Sequence, residues 1–328
     1  MLQVALFGAG RIAKIHSANL VQQDGVKLKY VVDVHAPSAD ALAAQHGASV
    51  ASAEQVFADP DIKAVIIGSS TDTHADLIIR AAQAGKHIFC EKPVDLTVER
   101  AKLCAAAVDK AGVTALVGFQ RRYDPTFASL KARIDQGEIG EQEMLCITSR
   151  DPGAPPIAYI NSSGGVFKDM LIHDFDMFRW MLDDEAVSVY ATASVLTDPA
   201  IEATGDADST AVTIRTRKGR LCQINTSRRA AYGYDQRIEV LGSKGMLQAD
   251  NQRPTDVVAW TAAGITADLP ENFFLQRYRA AYAIEMAHFI AAIRDGKPVR
   301  TTVADGLKAL QLAEAALLSW REKRVVEL

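Results

Sequence analysis

Asp169, His173 and Asp176 fall at i, i+4 and i+7 in the run GGVFKDMLIHDFDMFRWML, residues 164–182. Most of the run is apolar, and its pattern predicts one buried helix. Leu171, Phe175, Phe178 and Leu182 share a face of that helix; Asp169, His173, Asp176 and Trp180 lie roughly opposite. An unpaired charge is costly to bury, so the polar stripe must be paired or must face water. Asp169 and His173 are one turn apart and can touch. A carboxylate beside an imidazole raises its basicity and fixes its tautomer, which suits a general base. The bland alternative is an aspartate that favours the helix dipole, with a hydrogen-bonded core histidine.

A second candidate is CEKP, residues 90–93. It ends a predicted strand, where open parallel sheets bind ligands. Lys92 there can stabilise a developing alkoxide, aimed by a rigid turn at Pro93, a cis peptide being one form of it. Its alternative is a surface lysine before a helix.

The third signal is GAGRIA, a G-x-G-x-x-A pattern of Gly8, Gly10 and Ala13. It follows a predicted strand and opens a predicted helix, the setting that dinucleotide binding requires. Gly8 allows the tight turn, Gly10 admits a pyrophosphate to the helix N-terminus, and Ala13 lets helix and strand pack closely. The next strand ends at Asp33, placed to accept hydrogen bonds from the adenosine ribose. Asp33 would repel a 2′-phosphate, and no Lys or Arg occurs between Asp33 and Lys63. NAD is therefore expected rather than NADP.

The elements that must position these residues follow two styles. Up to about Phe119, short apolar runs alternate with helical patterns, which predicts βαβ units and a doubly wound parallel sheet, a Rossmann domain over 1–119. From 120 to 328 a helix is followed by several alternating strand-like runs, with TRKGR and GSKG as hairpin turns, and two amphipathic helices close the chain. That predicts an α+β domain with a large, mainly antiparallel open sheet, for substrate binding and oligomerisation. A cofactor domain followed by a different domain places the expected active site in the cleft between them.

Polar groups of lower specificity remain. Ser70, Thr71, Thr73 and His74 can line the cofactor cleft or merely cap a helix. Arg121 and Arg122 can reach substrate or form an interdomain ion pair, and Tyr232 or Tyr234 can hydrogen-bond a polyol.

The composition is that of an ordinary globular chain: 328 residues, 48% hydrophobic, 23% charged, net charge −4. No block of like charge suggests a nucleic-acid or membrane-surface partner. The apolar runs are shorter than the ~18 residues of a membrane span. The start MLQVALFGAG reads as a strand and not as a signal peptide. Cys90, Cys104, Cys146 and Cys222 are scattered and read as reduced core thiols, which argues for the cytoplasm and against a zinc-dependent polyol dehydrogenase.

Together, GAGRIA, EKP at 91–93 and GGVFKDMLIHDFD at 164–176 resemble the glucose–fructose oxidoreductase/inositol dehydrogenase family (Gfo/Idh/MocA) over essentially the whole chain. TDTHAD, EKPVDL, SRDPGAPP and YGYDQRIEVLGSKG look like its inositol-oxidising branch. The resemblance implies a Rossmann domain, a C-terminal domain on an open antiparallel sheet, and assembly into homotetramers or dimers. It places the family's catalytic lysine on Lys92 and its catalytic Asp and His on Asp169 and His173. It implies NAD-dependent oxidation of a cyclic polyol, first of all myo-inositol to its 2-keto form, without a metal. Another inositol isomer, a pyranose such as glucose, or a non-catalytic NAD-sensing module are the alternatives. The expected cofactor contacts are Gly8, Gly10, Arg11, Ile12, Ala13, Asp33, Ser70, Thr71, His74, Glu91, Lys92 and Gln120; the expected substrate contacts are Lys92, Arg122, Asp151, Asp169, His173 and Tyr232. One departure stands out: GSSTDTH lacks the Thr-Pro that the family commonly places before T-x-T-H.

Overall fold

In the computed structural model, which describes residues 1–328, the apolar runs of the first half become strands, most of them buried on both faces. In chain order the elements are β1 (Leu2–Phe7), α1 (Arg11–Leu20), β2 (Val26–Val32), α2 (Ala36–His46), β3 (Ser49–Val50), α3 (Ala53–Ala58), β4 (Ile62–Ile67), α4 (His74–Gln83), β5 (His87–Glu91), α5 (Val98–Ala111) and β6 (Ala115–Gly118). The sheet order is β3-β2-β1-β4-β5-β6, and every pairing is parallel. This is the doubly wound arrangement, with its reversal of direction between β1 and β4. Helix ends follow local chemistry. Ser52 and Gln55 form a capping box on α3, Thr97 caps α5, and Gly47 and Gly112 end α2 and α5 in the left-handed conformation.

The second half contains α6 (Pro125–Asp135), β7 (Gln142–Arg150), α7 (Ile157–Ser163), α8 (Leu171–Leu182), β8 (Ala186–Ser194), β9 (Ser209–Thr216), β10 (Leu221–Ser227), β11 (Asp235–Gly242), β12 (Gly245–Ala249), β13 (Val258–Thr261), β14 (Gly264–Ala267), α9 (Phe274–Arg277), α10 (Arg279–Asp295), α11 (Val303–Glu322) and β15 (Val326–Glu327). A seven-stranded sheet runs β12-β11-β7-β10-β9-β8-β15. It is antiparallel throughout except for the pair β7 and β10. Its strands alternate buried and exposed residues, so one face is packed and the other open. The TRKGR and GSKG turns join β9 to β10 and β11 to β12, as expected.

The chain forms two compact units: Met1–Tyr123 with Ala281–Gln311, and Asp124–Ala280 with Leu312–Leu328. No helix is long and apolar enough to cross a membrane.

The run 164–182 differs from the single helix its pattern predicts. α7 stops at Ser163, Gly164 and Gly165 take positive φ, Val166–Met170 forms a π-helical turn, and α8 begins only at Leu171. The wider turn changes the angular spacing just where Asp169 precedes His173. Asp169 and His173 are half-buried, but Asp176, expected on the wet stripe, is fully buried, as is Asp174.

Candidate active-site residues

In the first unit, Gly8 sits between β1 and α1 with φ +100°, a conformation that favours glycine, and a Cβ there would lie 2.5 Å from the Gly68 carbonyl oxygen. The turn after β1 therefore presses against the end of β4, at the sheet's reversal point. Gly10 starts α1 with no side-chain cap, and a Cβ there would meet nothing within 4 Å. The N-terminus of a 10-residue helix is thus bare and faces open space, which fits the pyrophosphate of a dinucleotide. Ala13 is buried; Arg11 is exposed and Ile12 half-buried beside it.

Asp33 follows β2. One of its oxygens accepts from the Ala9 N–H at 2.6 Å and the other from the His35 N–H at 2.7 Å. The carboxylate is therefore anchored to the glycine turn itself and remains half-exposed. An anchored anion at this place suits ribose hydroxyls and opposes a 2′-phosphate.

Ser70 and Thr71 lie at the start of a short 3-10 turn, Thr71–Thr73, that leads into α4. Ser70 is exposed and Thr71 half-buried. The Thr73 hydroxyl donates to the Ser70 carbonyl at 2.7 Å, so Thr73 stiffens this loop. His74 is wholly buried; its Nδ1 faces the Pro93 carbonyl at 2.8 Å and its Nε2 the Ser69 carbonyl at 3.2 Å. Burial holds the imidazole below its ordinary pKa. The ring ties the loop after β4 to the turn after β5.

That second turn carries Lys92, half-buried, with a cis peptide to Pro93. Glu91 before it is buried, and its Oε1 lies 2.6 Å from Nε2 of the fully buried His16 on α1. The other oxygen, Oε2, accepts from the Lys92 N–H at 3.2 Å. His16 packs on the rings of Phe89 and Tyr282. Gln120 is buried in a single 3-10 turn after β6. Arg122, two residues on, points its guanidinium at the Arg300 carbonyl (3.0 Å) and at Asp305 (3.2 Å), all within the first unit.

In the second unit, Asp169 is held by two side chains that sequence reading passed over. The Tyr159 hydroxyl on α7 donates to Oδ1 at 3.0 Å, and Nη2 of Arg228 lies 3.4 Å from Oδ2. Arg228 is 2% exposed. A signal for it existed: Cys222, Ile224 and Thr226 are the buried parity of β10, and Arg228 continues it. His16 likewise shares the buried face of α1 with Ala13 and Leu20. Nothing local marks Tyr159.

Asp151 is half-buried beyond β7, with its backbone paired to Ser227 and Ala230. The Tyr232 hydroxyl donates to Asp235 at 2.5 Å and accepts from Arg150 at 2.9 Å. No group of three or more His, Cys, Asp or Glu is arranged to hold a metal ion. The four cysteines are unpaired thiols; burial pushes Cys104 up to about 12, which keeps it protonated and unreactive.

The comparisons with known proteins agree with this geometry. The model of an oxidoreductase family's NAD-binding Rossmann fold matches residues 2–119, and that of the same family's C-terminal alpha/beta domain matches residues 131–328. The chain is 49% identical to the inositol 2-dehydrogenase of Rhizobium meliloti (strain 1021), over 100% of this chain and 99% of that protein. It is 42% identical to the myo-inositol 2-dehydrogenase of Thermotoga maritima, over 100% and 98%. The crystal structure of scyllo-inositol dehydrogenase from Lactobacillus casei with bound NAD(H) and scyllo-inositol superposes with a TM-score of 0.93 at 28% identity, covering 100% of this chain and 99% of that one. The protein belongs, along its whole length, to the Gfo/Idh/MocA oxidoreductase family, which joins an NAD-binding Rossmann fold to a C-terminal α/β domain.

Proposed function

We propose that the protein oxidises myo-inositol to its 2-keto form with NAD as the electron acceptor. The observation that carries the reading is the pair Asp169 and His173, set across a π-to-α junction, in a chain that matches an inositol 2-dehydrogenase from end to end. In this reading His173 takes the proton of the substrate hydroxyl, and Asp169 orients the ring and stabilises the imidazolium. Lys92 holds the same oxygen and offsets its negative charge as the carbonyl forms. Bound NAD supplies the acceptor for the hydride that leaves the carbon. Gly8, Gly10, Ala13 and Asp33 hold the cofactor; Arg122, Asp151 and Tyr232 contribute to substrate recognition.

The test is NADH formation with purified protein, myo-inositol and NAD at mildly alkaline pH, beside scyllo-inositol, chiro-inositol, glucose and an NADP control. A rate confined largely to myo-inositol with NAD is the expected result. Turnover of another polyol replaces the substrate; tight NAD binding without turnover on any of them removes the reading.

We also place the protein in the cytoplasm as a homo-oligomer. What supports assembly is the open face of the large sheet. Leu221, Met144, Leu241 and Met246 are successive cross-strand partners there, and Leu221, Leu241 and Met246 are 40–48% exposed. An apolar row on an open sheet face marks a contact surface. Sedimentation equilibrium showing a monomer would remove this part.

A further inference from the structure

The second unit buries a guanidinium beside Asp169, the carboxylate proposed to orient His173. Arg228 is among the largest fully buried side chains of the protein. Its backbone N–H donates to the Asp208 carbonyl at 2.8 Å. The Asp208 carboxylate in turn takes the N–H groups of Leu196, Thr197 and Asp198, so the segment carrying Arg228 is fixed. The guanidinium reaches Asp169 at 3.4 Å, while its Nε has no hydrogen-bond partner. A buried cation is tolerated only beside an anion.

The groups that face Asp169 come from several elements. Arg228 approaches from beyond β10, the Tyr159 hydroxyl from α7, and Asp206 from the turn before β9. His173 follows on the same helical run, and the Lys168 ammonium donates to Glu314 at 3.0 Å. Asp206 opposes Arg228 in sign, but both its oxygens accept from the Val166 N–H, and burial raises its carboxyl above the ordinary range. Asp206 also lies where a Cβ on Gly165 would come within 2.7 Å, so it braces the π-helical turn that bears Asp169.

We propose that Arg228 is a positioning residue of the reaction, which holds Asp169 anionic and fixed in orientation so that the substrate proton comes to rest on His173 and never on the carboxylate. The proposal rests on the reading of Asp169 and His173 given above. Neutralising Asp169 would leave Arg228 buried without its ion pair, and that cost keeps the carboxyl deprotonated. The imidazolium formed during turnover then always has an anion beside it.

The test compares Arg228→Met with Arg228→Lys in the full-length protein. It records circular dichroism, NAD affinity, and kcat and kcat/KM against pH. In the folded Met variant kcat is expected to fall by at least about tenfold. The rise of activity with pH should also move upward by about half a unit or more, because the cation that pairs with Asp169, four residues before His173, no longer offsets the carboxylate's charge. NAD affinity should not change. The Lys variant should keep the original profile. A Met variant with the original kcat and profile overturns the proposal. So does an equal loss in both variants with an unmoved profile, which would make Arg228 mere scaffold.

If the Met variant does not fold, carbon-13 NMR of the aspartate carboxyls in the unsubstituted protein decides, with Asp169 assigned through Asp169→Asn. Asp169 is expected not to titrate across the pH range of activity; a titration there overturns the proposal. Full activity in Asp169→Asn and His173→Ala would instead remove the site reading itself. Loss of activity in those two with an unmoved profile in Arg228→Met removes only the role of Arg228.

Discussion

His16 Nε2 and Glu91 Oε1 lie 2.6 Å apart in the core of the first unit, and the other Glu91 oxygen accepts from the backbone of Lys92. Nδ1 of His16 is buried without a hydrogen-bond partner. A bare lone pair is less costly there than an orphaned N–H, so the proton sits on Nε2 and points at Glu91. The pair fixes the residue before Lys92.

Gly118→Ala should disturb that arrangement. A Cβ at Gly118 would come 3.0–3.2 Å from the Glu91 carboxylate. Overpacking of this kind costs about 1–3 kcal/mol. Chemical denaturation should show that loss, and kcat should fall with it. His16→Ala should lower stability similarly, since a buried carboxylate loses its partner.

Gly8→Ala should abolish NAD binding. The new Cβ would need a strained backbone at φ +100° and would strike the Gly68 carbonyl at 2.5 Å. Backbone on backbone leaves nothing flexible to give way. Calorimetric titration with NAD should show no detectable binding in a variant whose circular dichroism matches that of the unsubstituted protein.

Asp33 is expected to favour NAD over NADP, since its anchored carboxylate suits ribose hydroxyls and opposes a 2′-phosphate. Asp33→Ser should weaken NAD binding and narrow the gap between the two cofactors, because a ribose acceptor and a repulsive charge go together. The substitution also removes the acceptor of the Ala9 N–H. An unchanged ratio of the two kcat/KM values would contradict this.

Lys92→Ala and His173→Ala should each lower kcat by ~10²–10⁴ while NAD affinity holds. Near-normal turnover in either variant would remove that residue from the mechanism.

Acid should destabilise the protein between about pH 7 and 5 through its buried histidines. Burial holds His74, His87, His46 and His288 below the ordinary imidazole value. In that range the unfolded chain binds protons that the folded chain refuses, so stability is present above the unfolded pKa and is lost as pH falls through it. His74 is wholly buried and counts most, with a slope of up to ~1.4 kcal/mol per pH unit. The others are partly exposed and contribute less. Tm measured across this range should fall with pH, and the fall should be shallower in His74→Gln, whose amide can still donate to the Pro93 carbonyl.

Much of this was written locally in the chain. The glycine turn, the alternation of strand and helix, Asp33 at the end of β2 and Lys92 at the end of β5 follow from runs of neighbouring residues, because chain direction in a parallel βαβ unit fixes where each strand ends. Asp169 and His173 also stood out, since charges in an apolar helix are costly enough to be conspicuous. What the sequence could not determine was the π-helical turn between Gly165 and Leu171, because the local pattern is satisfied by one straight helix; the clamp of Asp206 on the Val166 N–H is a contact 40 residues away. The parallel pairing of β7 with β10 was hidden for the same reason, as were the partners of Glu91 and Asp169. His16 lies 75 residues from Glu91, and Arg228 lies 59 from Asp169. Period and propensity act over a few residues, whereas a buried charge finds its counter-charge only when sheets and helices have already brought distant segments together. The residues proposed to do chemistry were therefore readable, and the residues that hold them were decided by the tertiary fold.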